Sequence, residues 1–206
     1  MKKILISLMA IALVIGLVGA GAFAYFSDVE TSTGNSFTAG TLDLKVDTNP
    51  TGEVNWADGP LPTLNSVTEL NDLINNMKPG DTISGNFGIK NAGTIDGTAD
   101  FKLTVTANDD NGLTDPESTD GDATGGAGEG ELGANINVVL TYGGAAIYSG
   151  TLNGMSGTNC VAAANLLAGQ TASWEYTVSI APGVGNIIQS DSVAFNIEFS
   201  LNQVQP

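Results

Sequence analysis

Residues 82–107 are TISGNFGIKNAGTIDGTADFKLTVTA, two segments in which apolar and polar residues alternate around a short polar link. The apolar positions on one face are Ile83, Gly85, Phe87 and Ile89 in the first segment, and Phe101, Leu103 and Val105 in the second. A period of two is typical of a β-strand with one buried face. The glycine-containing link 91–97 predicts that Thr82–Asn91 and Thr98–Ala107 pair as an antiparallel hairpin.

Further strand patterns occupy most of the chain. The other predicted strands are Phe37–Val46, Leu132–Tyr142, Ala145–Ser149, Thr171–Ile180 and Asp191–Val204. Gly143 and Gly144 predict a hairpin, and Lys78–Asp81 has the composition of a turn. Residues 47–62 are rich in proline and predict a loop, and the capping-box pattern Ser66–Glu69 predicts one short helix that ends before Pro79. Residues 37–206 are therefore expected to form an all-β antiparallel sandwich of Greek-key or jelly-roll type.

The first 24 residues have the pattern of a secretory signal peptide. Lys2 and Lys3 precede an apolar run, and the small residues Ala22 and Ala24 predict cleavage after Ala24. The alternative is a retained membrane anchor, because Ile4–Ala24 is long enough to span a bilayer. We expect contact with the membrane only through this segment before cleavage.

A polar segment, residues 25–36, separates the signal from the predicted sandwich. Its alternate positions are Tyr25, Ser27, Val29, Thr31 and Thr33 on one side, and Phe26, Asp28, Glu30 and Ser32 on the other. This pattern is compatible with an extended strand, but its apolar face is too weak to fold alone. The alternative is a flexible mature terminus.

The charge balance argues against several classes of partner. All 22 acidic residues follow Ala24, and the formal net charge of the whole chain is −16. Such a surface repels phosphate groups, so we expect no binding to nucleic acid and none to anionic membrane surfaces. The single cysteine, Cys160, excludes an intramolecular disulfide and is expected to be a small buried residue.

No catalytic motif is present. The chain has no histidine, which removes histidine-based triads and the common zinc sites, and we expect no enzymatic activity. The acidic loop 109–122 offers candidate calcium ligands, which are Asp109, Asn111, Asp115, Asp120 and Asp122. The match to a calcium loop is incomplete, so a solvated acidic loop is the alternative and calcium is the only cofactor considered.

Three parts of the chain resemble the TasA/camelysin family of biofilm-matrix fibre subunits and archaeal bundling pilins. They are GAFAYFSDVETSTGNSFTAGTLDL (residues 21–44), residues 76–93 with the Lys78–Asp81 turn, and SDSVAFNIEF (residues 190–199). The resemblance implies a jelly-roll domain whose signal peptide is cut by a dedicated signal peptidase and which polymerises by donor-strand complementation. It also implies that Tyr25–Thr33 is the donor strand, with identical subunits, and in bundles neighbouring filaments, as partners.

Two hypotheses of different classes follow. The first is a secreted structural subunit of extracellular fibres or pili, in a biofilm matrix or on the cell surface. The alternative is a monomeric cell-surface binding module, for which the loop 109–122 is the candidate calcium site. Some members of the family have been described as metalloproteases, and the lack of histidine departs from that activity.

Overall fold

The computed structural model describes residues 39–47, 53–58 and 77–204, all within one compact unit, Ala39–Pro206. Its strands are β1 (Leu44–Asp47), β2 (Trp56–Ala57), β3 (Thr82–Asn91), β4 (Gly97–Asp109), β5 (Ile136–Tyr142), β6 (Ala145–Thr151), β7 (Asn159–Val161), β8 (Thr171–Ile180) and β9 (Ser192–Gln203). Its helices are α1 (Asp115–Asp120), α2 (Leu132–Asn135), α3 (Leu152–Met155) and a 3-10 turn, Asn186–Ile188. The predicted signal, the segment 25–36 and the helix after Ser66 lie outside the described residues.

The strands form two antiparallel sheets that pack face to face. The larger sheet has the order β2-β1-β3-β8-β5-β6, and the smaller one has the order β7-β4-β9. The prediction of an all-β antiparallel sandwich is confirmed. No helix in the described part of the chain is long and apolar enough to cross a bilayer.

Aromatic side chains fill the space between the sheets. Trp174 of β8 is completely buried, with its ring centroid 5.8 Å from that of Phe101 and 4.9 Å from that of Tyr142. The ring centroid of Phe87 on β3 lies 6.2 Å from that of Phe101 on the opposite sheet. The alternation predicted for the two segments of residues 82–107 is confirmed, because Ile83, Phe87 and Ile89, and likewise Phe101 and Leu103, are buried.

The predicted hairpin between these two segments is wrong. β3 pairs with β1 and β8, whereas β4 pairs with β7 and β9, so the link 91–97 crosses from one sheet to the other. Both apolar faces point into the same core, which places the strands opposite each other instead of side by side. A period of two identifies a buried face, but it contains no information about which strand lies alongside.

Asn91 holds this crossover in place. The side chain is fully buried, and its Nδ2 donates to the carbonyl oxygens of Ile95 at 2.8 Å and Leu166 at 3.1 Å. Its Oδ1 accepts from the backbone N–H of Gly93 at 3.0 Å. One buried amide therefore satisfies the Ile95 carbonyl and the Gly93 N–H, and it gives a second hydrogen bond to the Leu166 carbonyl, which also accepts from Gly97.

Replacement of Asn91 by alanine is expected to destabilise the sandwich by about 2–3 kcal/mol, since buried backbone groups lose their partners. Denaturant unfolding followed by tryptophan fluorescence measures this loss. Asn86→Ala is the matched control, because Asn86 lies on the exposed face of the same strand, and its expected cost is below about 0.5 kcal/mol. Equal losses in the two variants would contradict this role for Asn91.

The remaining local predictions have mixed outcomes. The hairpin at Gly143 and Gly144 is confirmed, with φ of 57° and 81° in the left-handed region. In the turn Lys78–Asp81 the backbone N–H of Asp81 donates to the Lys78 carbonyl at 3.0 Å. The strand predicted from Leu132 begins only at Ile136, because Leu132–Asn135 form a helical turn.

The first predicted strand and the loop after it also differ from expectation. β1 begins at Leu44, later than the predicted start at Phe37, which lies outside the described residues. Within the predicted loop 47–62, Trp56 and Ala57 form a two-residue strand that pairs with β1. The pairing partner lies close in the chain, but two residues are too few to show a period of two.

Candidate functional site

An apolar groove opens between the two sheets. It has a volume of about 720 Å³, and each sheet contributes to its walls. The larger sheet supplies Ile83 of β3, Tyr176 and Val178 of β8, and the smaller one supplies Phe195 and Ile197 of β9. The groove is therefore a continuation of the core that reaches the surface.

β9 forms one side of this groove and is an edge strand. Among the described residues only β4 pairs with it, so the other side of a strand of 12 residues has no hydrogen-bonding neighbour. Its inward-facing side chains, such as Phe195 and Ile197, are only half-buried, whereas Phe101 and Leu103 on β4 are 2% and 4% exposed. Within the part of the chain that the structure describes, no strand covers this side of β9.

This combination suits an extended segment of polypeptide. A free edge offers unpaired backbone N–H and C=O groups along its length, and an added strand makes main-chain hydrogen bonds to them. Alternate side chains of the added strand would point into the groove and cover the half-buried residues of β9. Recognition would therefore depend on the apolar character of every second residue.

A second feature is an acidic cluster at one end of the sandwich, formed by Asp110, Glu117, Asp122, Glu131 and Asp191. Asp110 follows β4, Glu117 lies in α1, Asp122 follows α1, Glu131 precedes α2, and Asp191 precedes β9. One ligand oxygen from each of Asp110, Glu117 and Asp122 lies within 4.8 Å of the others, and the same holds for Asp110, Glu131 and Asp191. Asp110 belongs to both groups.

Local sequence orients Glu117 toward this cluster. Thr114 caps α1, and its backbone N–H donates to Oε2 of Glu117 at 2.6 Å in a capping box. Gly121 ends the helix with φ of 97°, a left-handed conformation that favours glycine. The helix has only six residues, and its caps rather than its length hold Glu117 in a fully buried position.

Hydrogen bonds satisfy only part of the cluster. The Thr124 hydroxyl lies 3.0 Å from Asp110 Oδ2, 2.8 Å from Asp122 Oδ1 and 3.3 Å from Glu131 Oε1, but it has a single proton to donate. Asp191 Oδ2 accepts from the backbone N–H groups of Glu131 and Leu132. One buried oxygen on each of Asp110, Asp122, Glu131 and Asp191 has no hydrogen-bonding partner.

Three members of the cluster have shifted pKa values, and hydrogen bonds from the Thr124 backbone and hydroxyl lower the pKa of Asp122. Burial raises the pKa of Glu131, and the neighbouring carboxylates of Asp122 and Asp191 raise it further. Burial also raises the pKa of Asp191, against the effect of the two backbone N–H donors. None of the ion pairs formed by the described residues involves the cluster.

The sequence-based calcium candidates coincide with this cluster only at Asp122. Asp115 is exposed in the first turn of α1, Asp109 accepts from the backbone N–H of Gly128, and Asp120 accepts from that of Asn186. The Asn111 side chain donates to the Ser190 carbonyl at 2.9 Å. Asp109, Asp120 and Asn111 therefore bind other parts of the protein, and none of the four belongs to the cluster.

Two residues of the acidic cluster that the sequence analysis did not select, Glu117 and Asp191, differ in how far the sequence could have identified them. Glu117 is the last residue of a capping-box pattern, Thr114–Glu117, which would have identified it as oriented by the backbone. Asp191 is brought in by the β4–β9 pairing and had no local signal. The donor segment, Tyr25–Thr33, and the cleavage residues Ala22 and Ala24 lie outside the described residues.

Cys160 is buried, as predicted, and burial raises the pKa of its thiol.

The comparisons with known proteins concern the N-terminal part of the chain. A family model described as camelysin metallo-endopeptidase matches residues 1–124, from the predicted signal to the residues just after α1. No curated protein matches the chain.

Proposed function

The chain belongs to the camelysin metallo-endopeptidase family, and on that premise we propose that it is an exported structural subunit that polymerises into extracellular fibres or pili. Each subunit would insert residues 25–33 into the groove of the next subunit and complete its smaller sheet. The observation that carries the proposal is the edge of β9, which has no neighbour on this side among the described strands and whose half-buried apolar side chains line the groove.

The dimensions of donor and acceptor agree. A strand of the length of Tyr25–Thr33 extends about 30 Å, and the 12 residues of β9 offer an edge of about 40 Å. One face of the donor presents Tyr25 and Val29, which would enter the groove with the threonines. The other face presents Asp28 and Glu30, whose charges would stay in water.

This mode of addition leads to a filament. The donor and the acceptor are different surfaces, so each added subunit leaves a new groove free, and a head-to-tail contact that does not close on itself continues indefinitely. Removal of the predicted signal would release the donor segment outside the membrane. The partners are therefore identical subunits.

We propose a non-enzymatic role in spite of the name of the family. Catalytic zinc in peptidases is typically held by histidine together with carboxylate, and this chain has no histidine. The described residues gather carboxylates alone, a hard oxygen donor set that does not fit such a site. Binding of another metal ion by the acidic cluster would not by itself make the chain a peptidase.

Phe195→Asp tests the groove as the acceptor. A donor strand would bury the new carboxylate without a partner at a cost of about 3 kcal/mol or more, which corresponds to at least about a 100-fold rise in the critical concentration for filament formation. Light scattering and electron microscopy measure this concentration, and circular dichroism checks that the variant is folded.

Asn196→Asp is the matched control, because it adds the same charge to the neighbouring, exposed position of the same strand. We expect it to form filaments at the wild-type concentration. Filaments of Phe195→Asp at that concentration would exclude the groove as the acceptor.

A further inference from the structure

We propose that Asp110, Glu117, Asp122, Glu131 and Asp191 form a calcium-binding centre. The proposal does not depend on polymerisation. It rests on the position of Asp110, a fully buried carboxylate that belongs to both groups of closely spaced oxygens. One of its oxygens lies 3.0 Å from the Thr124 hydroxyl, and the other has no hydrogen-bonding partner.

The unpartnered oxygens are concentrated in this one place. Five buried side-chain atoms of the described residues lack a hydrogen-bonding partner, and four of them are carboxylate oxygens of the cluster, on Asp110, Asp122, Glu131 and Asp191. A buried polar atom without a partner is costly, and a single one normally has a specific explanation. Four such oxygens in one cluster are explained together by one kind of ligand, a cation.

The negative charge of the cluster also favours a bound cation. Five carboxylates from four separate segments meet where two of them, Asp110 and Glu117, are 0% exposed. Like charges at this distance destabilise one another, and burial strengthens the repulsion. The described lysines with ion pairs, Lys45 and Lys78, are paired with other aspartates. A bound divalent cation would neutralise the repulsion.

The donor set favours calcium among the divalent cations. Calcium accepts six to eight oxygen ligands at about 2.3–2.6 Å, so oxygens on opposite sides of one ion are about 4.6–5.2 Å apart. The spacing within each group, at most 4.8 Å, fits this span. Magnesium is usually bound by one or two carboxylates and keeps several waters, and zinc prefers nitrogen and sulfur.

Calcium at this position would connect distant parts of the chain. It would join the end of β4 and the segment that contains α1 to the residues just before β9. Ser190 and Asp191 also line the open groove, so the ion would stabilise one end of its wall. The expected result of calcium binding is a more stable sandwich and a protease-resistant loop 110–131.

Calorimetric titration of the full-length protein with calcium chloride, and thermal unfolding in calcium or in EDTA, test the proposal. We expect saturable binding and a rise of about 5–10 °C in Tm when calcium exceeds its Kd by about 100-fold. Magnesium chloride is expected to bind at least about tenfold more weakly. No binding heat and no change in Tm with calcium would overturn the proposal, and an equal affinity for magnesium would overturn the choice of calcium.

Asp110→Asn separates metal binding from a purely structural role. The variant removes one negative charge at constant size, so its Tm in EDTA should equal or exceed that of the wild type, while the rise with calcium should be lost. Glu131→Gln is a second variant at a less buried position and is expected to weaken calcium binding at least tenfold. Asp115→Asn, in the same segment but outside the cluster, should respond to calcium as the wild type does. Wild-type calcium binding by both Asp110→Asn and Glu131→Gln would overturn the site.

Discussion

Deletion of residues 25–35 is expected to abolish filament formation completely and to leave a folded, monomeric sandwich. The described elements of the sandwich all lie after residue 38, and the buried core found among the described residues runs from Val46 to Ile188. The deletion variant should therefore keep its β-sheet circular dichroism and its cooperative unfolding. Electron microscopy of the wild-type and deletion proteins at equal concentrations measures the loss, and equal filament formation by both would contradict donor-strand complementation.

A synthetic peptide of residues 25–35 extends this experiment. Added to the deletion variant, it should occupy the groove beside β9 and raise Tm, because a ligand that binds only the folded state stabilises it. The alternation of the donor predicts which side chains matter. A peptide with Val29→Asp should lose binding, and one with Glu30→Gln should keep it, since only the first places a charge in the groove. Equal binding by the two peptides would contradict the predicted register.

Trp174→Ala is expected to cause the largest loss of stability of any single substitution that we predict. The side chain is 0% exposed and contacts Phe101 across the core and Tyr142 on the adjacent strand. Removal of a buried aromatic ring costs about 3–5 kcal/mol, which lowers Tm by about 6–20 °C in a domain of this size. Thermal unfolding followed by circular dichroism measures the change.

Trp56→Ala is the matched control for this prediction. Trp56 is the other tryptophan of the chain, lies on the two-residue edge strand β2 and is only half-buried. Its replacement should cost about 1–2 kcal/mol, because less apolar surface is exposed on its removal. A loss at Trp56 as large as that at Trp174 would show that the core is organised differently from the sandwich described above.

Local patterns were sufficient to locate the long strands and their buried faces, but not the short strands β2 and β7. The apolar alternation of residues 82–91 and of residues 101–105 identified inward-facing residues, and Gly143 and Gly144 identified a hairpin, because both signals depend on neighbouring positions. The same patterns failed where a partner lies far along the chain. β3 pairs with β8 and β4 with β9, and these pairings depend on how two apolar faces close over a shared core.

The candidate sites show the same division. The sequence by itself determined an acidic, cysteine-poor β domain, because composition and period are properties of consecutive residues. Only the tertiary structure decided that β9 lies at a sheet edge with half-buried apolar side chains beside a groove. It also brought Asp191 to Asp110, Glu117, Asp122 and Glu131. These arrangements arise from pairing and packing between distant segments, which no local pattern specifies.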